Sequence, residues 1–163
     1  YAKLIGCIPD NVKIAIDCEG EKLKKALAAG VDLVKPNLYE LESITESKCI
    51  TKADMVEGAR KLIDMGAKKV LLSLGSSGAI LTDGKEHLYC KSANVAVNST
   101  VGAGDCMLAA ALVMRERGLA DEEVLRCAVA AGTASITTPG TNLVYKDKYE
   151  EIYDRISVEK FFA

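Results

Sequence analysis

Short apolar runs, each closed by a charged residue or a helix breaker, alternate with amphipathic stretches along most of the chain. Residues 13–17, Lys-Ile-Ala-Ile-Asp, read as a strand of a parallel sheet that ends in an acid. In residues 21–29, Leu23, Ala26 and Leu27 share one helical face. The acid comes first there, the lysines later, and Gly30 supplies the stop. Residues 31–35 form the next strand, halted by Pro36. Strand, helix and strand in this order predict a right-handed βαβ unit. Thr51 opens another helix, with Asp54 three residues on to complete a capping box. Its apolar stripe is Met55, Val56, Ala59, Leu62 and Ile63, and Gly66 ends it. Residues 70–74, 79–82 and 87–90 are strand-like, with turns at Gly75-Ser76-Ser77-Gly78 and Asp83-Gly84. These predict antiparallel strands at one edge of a mostly parallel sheet.

The second half is richer in helix. Residues 93–98 read as a strand that runs into Ser99-Thr100-Val101-Gly102-Ala103-Gly104-Asp105. Nine consecutive apolar residues follow, 106–114, which predict a helix buried all round. Arg115 and Arg117 suit its C-terminal end and Gly118 closes it. Asp121-Glu122-Glu123 then open a helix that runs to about residue 136. Its face of Cys127, Ala128, Ala131, Gly132, Ala134 and Ser135 suits tight helix packing and a flat ligand equally well. Residues 138–141 form a loop, and 149–162 a last surface helix with a short end segment. Residues 1–10 are weakly patterned and read as the end of an element.

Composition narrows the classes. With 163 residues, 49% hydrophobic and 27% charged, the chain predicts one soluble globular unit with an ample core. A net charge of −2 without a basic stripe argues against nucleic acid. No apolar run reaches the ~18 residues of a membrane span, so no membrane partner is expected. The six cysteines, Cys7, Cys18, Cys49, Cys90, Cys106 and Cys127, form no Cys-x-x-Cys pair. They read as free thiols of a reducing cytoplasm. His87, alone of its kind, cannot anchor a multi-histidine metal site and reads as a strand-edge residue.

Two stretches carry chemistry. At residues 99–105 a strand meets a helix through two glycines, so backbone amides and the positive end of the helix dipole make an anion site. Asp105 would repel a phosphate there, unless it takes a proton from whatever attacks that phosphate. The same residues also fit a plain helix start, with Asp105 worth a few tenths to about 1 kcal/mol through the dipole. The second stretch is Lys35-Pro36-Asn37-Leu38-Tyr39-Glu40-Leu41. Asn37 and Glu40 have the spacing of a capping box, at a strand's C-terminal end where sheet ligands sit. A dinucleotide fingerprint fails because its third glycine would fall at Met107. A P-loop fails for want of Gly-x-x-x-x-Gly-Lys-Ser/Thr.

Residues 99–105 resemble the signature of the ribokinase-like (PfkB) carbohydrate kinases, Asp-Thr-x-Gly-Ala-Gly-Asp. Ser99 stands where many members have the first Asp, which is similar to the phosphosugar branch and to 1-phosphofructokinases in particular. The Asn37-x-x-Glu40 context resembles a second motif of that family. The resemblance covers residue 14 to the end. It implies an α/β protein with a three-layer ribokinase-like fold, of which this is the C-terminal, nucleotide-binding part. The sugar-binding residues and the lid would then lie outside residues 1–163.

The same resemblance assigns roles. Asp105 is the catalytic base, and the amides of Gly102, Ala103 and Gly104 form the anion hole. Asn37 and Glu40 position Mg²⁺ through water. ATP is bound by Gly104 and Asp105, by Ser73, Gly75 and Gly78, and by Ala131 and Gly132 beside the adenine. The implied reaction is ATP-dependent phosphorylation of a hexose phosphate, fructose 1-phosphate to fructose 1,6-bisphosphate foremost. Tagatose 6-phosphate and fructose 6-phosphate are the alternative acceptors, and a non-catalytic nucleotide-binding module is the alternative class. The expected partners are these small molecules, and a homo-oligomer is compatible with the reading.

Overall fold

The computed structural model describes residues 1–140, 142 and 144–163. Thr141, at the end of the loop predicted over 138–141, lies outside the described residues. In chain order come α1 (Ala2–Ile5), β1 (Ala15–Ile16), α2 (Gly20–Ala28), β2 (Leu33–Val34), α3 (Leu38–Thr45), α4 (Lys52–Asp64) and β3 (Val70–Ser73). Then follow β4 (Ala79–Thr82), β5 (His87–Cys90), α5 (Ala103–Glu116), α6 (Asp121–Ser135), α7 (Lys146–Arg155) and β6 (Val158–Phe161). The strands form one sheet in the order β1-β2-β3-β4-β5-β6. β1, β2 and β3 are parallel, with Ala15 opposite Leu33 and Val34 opposite Val70. The connections from β3 to β4 and from β4 to β5 are too short for a crossover, so these neighbours are antiparallel. The expected division into a parallel part and edge hairpins is therefore present.

The residues group into two compact units. The first comprises Tyr1–Ser73, Ile80–His87 and Phe161–Ala163. Its strands are buried on both faces: Leu33, Val34, Val70, Leu71, Leu72 and Ile80 are at most 1% exposed. That burial explains why they read as unbroken apolar runs rather than alternating ones. Leu23, Ala26 and Leu27 of α2 are fully buried, as are Leu41 of α3 and Val56, Ala59 and Leu62 of α4. The weakly patterned start holds the four-residue α1, too short to show a periodicity.

The second unit comprises Leu74–Ala79 and Leu88–Lys160. Two expectations fail in it. The helix over 106–114 is not buried all round: in α5 only Met107 and Ala111 are buried, while Leu112 is 37% and Val113 46% exposed. The fully enclosed helix is α6, which packs against α5 on one side and α7 on another. An apolar run is buried only as far as neighbours exist to cover it, and α5 has α6 as its principal helical neighbour. The second failure is the strand over 93–98. Residues 93–98 carry no strand, and two of their backbone groups bond to the end of α6 and to α7. Asn98 N–H donates to Ile136 O at 2.8 Å, and Arg155 Nη2 to Asn94 O at 3.0 Å.

Gly66 ends α4 with φ +125°, and an added Cβ would overlap the Leu27 carbonyl oxygen. Gly66→Ala meets both penalties, and urea unfolding should show a loss of roughly 2–4 kcal/mol. A second test concerns His87, the buried first residue of β5. Its Nδ1 lies 2.7 Å from Thr82 Oγ1 and its Nε2 3.4 Å from Arg60 Nη2. Burial, then the Arg60 charge, hold its pKa below the ordinary 6.5. Neutral imidazole is thus favoured in the native state, and the unfolded chain binds the proton more readily. Stability from this residue is whole above pH 6.5 and is lost as the pH falls through the lowered native value. The stability difference between wild type and His87→Gln should shift against wild type over that window; a flat difference would refute the assignment.

Candidate active site

The first candidate cluster is built at the ends of β2 and β3. Pro36 O accepts from Ser73 N–H at 3.0 Å and from Ser73 Oγ at 3.3 Å, and Asn37 bridges to Ser73 in parallel register. Ser73 therefore fastens the chain just ahead of α3. Asn37 is the N-cap of that helix: its Oδ1 accepts from Glu40 N–H, and Glu40 Oε2 accepts from Asn37 N–H, both at 2.8 Å. The capping box predicted from spacing is complete. It orients both side chains and leaves hard oxygen donors at a strand end, the donor type that Mg²⁺ with retained water prefers. Among the described residues no group of three or more His, Cys, Asp or Glu is placed to hold a metal ion, so the pair would hold one only with water completing its shell.

Two residues that no sequence motif singled out adjoin this cluster. Asp17 follows β1, Lys35 follows β2, and Lys35 Nζ lies 2.9 Å from Asp17 Oδ2 with the lysine side chain only 7% exposed. The signal was present in both strands, as an apolar run closed by a charge.

The second candidate cluster lies in the other unit. α5 starts on Gly102, which has φ 84° and provides no side-chain cap. The first turn carries Asp105, which is exposed. The Ala103 N–H makes a long 3.4 Å bond to Thr100 O, so one of the three expected anion-hole amides is partly engaged. The segment ahead is pinned to the end of α6: Asn98 N–H bonds Ile136 O, and Asn98 Nδ2 bonds Thr137 O at 2.7 Å. Gly132 lies under the same turn, where an added Cβ would stand 3.2 Å from Ala103 O and 3.3 Å from Met107 Cε. The small-residue face of α6 is thus used for helix packing, and Ala131 and Gly132 are buried.

Gly75 and Gly78 flank a short 3₁₀ turn, anchored by Tyr89 Oη donating to Ser77 O at 2.7 Å. Gly78 has a structural reason to be glycine. A Cβ there would overlap the Cys90 carbonyl oxygen. Gly75 has open space around its Cα.

Residues 2–148 match the pfkB family carbohydrate kinases. The chain belongs to that family. It is 40% identical over 131 residues to the 1-phosphofructokinase of Haloferax volcanii, covering 80% of this chain and 43% of that one. The crystal structure of phosphofructokinase-2 from Escherichia coli in complex with potassium is similar at TM-score 0.87 and 34% identity, over 94% of this chain and 51% of that one. The Arabidopsis thaliana ribokinase complexed with ribose and ATP is similar at TM-score 0.82 and 26% identity, over 93% and 51%. The fold is therefore ribokinase-like, and the chain spans about half the length of the pfkB relatives it matches. Among the described residues, no helix is long and apolar enough to cross a membrane.

The cap is the part of the site that can be tested without a ligand. Asn37→Ala removes one bond of the capping box and should lower the unfolding free energy by about 1 kcal/mol. Unchanged urea stability would mean that α3 is started by its packing alone.

Proposed function

We propose that this chain is the nucleotide-binding portion of a kinase that transfers the γ-phosphoryl group of ATP to a hydroxyl of a hexose phosphate. Fructose 1-phosphate is the favoured acceptor and fructose 1,6-bisphosphate the product. One observation carries the reading: α5 opens on the left-handed Gly102 with Asp105 in its first turn, in the stretch that resembles the family's signature. Similarity to the Haloferax 1-phosphofructokinase supports the acceptor, and the ATP of the Arabidopsis ribokinase structure supports the donor. The reading places the protein in the cytoplasm, with these metabolites.

In the proposed chemistry, Asp105 accepts the proton of the acceptor hydroxyl as that oxygen attacks the γ-phosphorus. The bond to the ADP leaving oxygen breaks in the same displacement. Amides of Gly102, Ala103 and Gly104 hold the negative charge of the transferring group, a kind of contact whose loss typically costs ~10²–10³ in rate. Asn37 and Glu40 would hold Mg²⁺ through water, and its charge offsets that of the ATP phosphates. Ser73, Gly75, Gly78, Ala131 and Gly132 complete the proposed nucleotide contacts. Fructose 6-phosphate is the second acceptor to test, since a phosphofructokinase-2 is among the similar structures.

The relatives are about twice as long, which supports placing the sugar site in sequence beyond residues 1–163. Those residues alone should bind ATP weakly and transfer no phosphate; the solvent-facing side of α5 favours their self-association. In a complete enzyme carrying this chain, Asp105→Asn should lower kcat at least ~10²-fold with ATP affinity within a few-fold. Near-normal turnover would remove Asp105 from the role of base. Comparing fructose 1-phosphate, fructose 6-phosphate and tagatose 6-phosphate as acceptors in the same assay decides the substrate.

A further inference from the structure

Among the described residues, Lys35 is the one lysine or arginine that is buried. Its ammonium sits at 2.9 Å from Asp17, whose side chain is 29% exposed. Both residues stand at the C-terminal ends of adjacent parallel strands, and Lys35 N–H donates to Ile16 O at 3.1 Å. A pair of this kind is poor evidence for stability, because taking two charges out of water offsets much of their attraction. An apolar pair would serve the core as well. The position is what distinguishes this one. Lys35 precedes Pro36, whose carbonyl is held by Ser73, and Asn37, which caps α3 with Glu40. The thiol of Cys18 reports the same neighbourhood from the other strand: burial first, then the charges of Asp17 and Glu40, raise its pKa. Asp17 and Glu40 thus act electrostatically on one group from two different elements.

We propose that Asp17 is a positioning residue: its carboxylate fixes the buried Lys35 ammonium at the strand ends, beside the Asn37–Glu40 cap, where a magnesium-bound polyphosphate is received. The inference rests on the functional reading above and adds to it the residue that sets the lysine. Asp17 makes no contact with the reacting atoms in this scheme. It acts by denying Lys35 its other rotamers, so that the ammonium meets an anionic ligand without first being ordered.

The test uses a complete enzyme carrying this chain and two readouts. Amine acylation followed by mass spectrometry reports how firmly Lys35 is held. Calorimetric titration with ATP and Mg²⁺ reports nucleotide affinity. Asp17→Asn keeps the shape and removes the charge; Asp17→Glu keeps the charge. Expected are faster acylation of Lys35 and roughly tenfold weaker nucleotide binding in Asp17→Asn, with both recovered in Asp17→Glu. Unchanged Lys35 acylation in Asp17→Asn overturns the proposal, whatever the nucleotide does. So does faster acylation with unchanged affinity, which would make the pair structural only. If wild type and both variants all fail to bind nucleotide, the functional reading falls and takes this inference with it. If Asp17→Asn unfolds, Asp17→Glu decides, because a merely structural pair gives no reason for its affinity to track Lys35 protection.

Discussion

A helix cannot begin without leaving amide hydrogens unbonded, and this chain answers that constraint in two opposite ways. α3 and α4 close their own starts, Asn37 with Glu40 and Thr51 with Asp54, each in a reciprocal pair of side-chain bonds. α5 does not. It begins on a left-handed glycine that offers no acceptor, at the turn to which the proposed anion hole belongs. Much else in the second unit serves that opening. Asn98 is tied to the end of α6, and Gly132 lets α6 come up against Ala103 without a side chain between them. The turn that is left uncapped is therefore held from behind.

The elements most legible in the sequence are those whose signal is local. Spacing alone revealed both capping boxes, because the partners are three residues apart and no distant contact is involved. The apolar run of β2 read correctly as a parallel strand, and that of β3 as a buried strand, because burial on both faces removes any alternation. Legibility failed where the partner of a segment decides its state. Residues 93–98 have strand-like composition, but their carbonyls and amides go to helix ends and to an arginine. The run over 106–114 is apolar enough to be enclosed, yet enclosure depends on neighbours that composition does not count.

The site divides along the same line. Asn37, Glu40 and the 102–105 turn were readable because motif and geometry share one short stretch. Asp17 and Lys35 lie 18 positions apart and meet only because β1 and β2 are in register. The small residues of α6 were open to two uses, and the backbone oxygen of Ala103 under Gly132 shows that packing is one of them. Gly78 carries a similar lesson, since the carbonyl of Cys90 already demands a glycine there.

The outward face of α5 has a consequence for handling. Ala109, Leu112 and Val113 fall at helical spacing and stand in solvent, while the chain's net charge is only −2. Colloidal behaviour then depends less on overall charge than on one greasy ridge. Salting-out strength, retention on a hydrophobic resin and the response to mild detergent should each shift when those three side chains are replaced by polar ones. A buffer chosen from the isoelectric point alone would miss them.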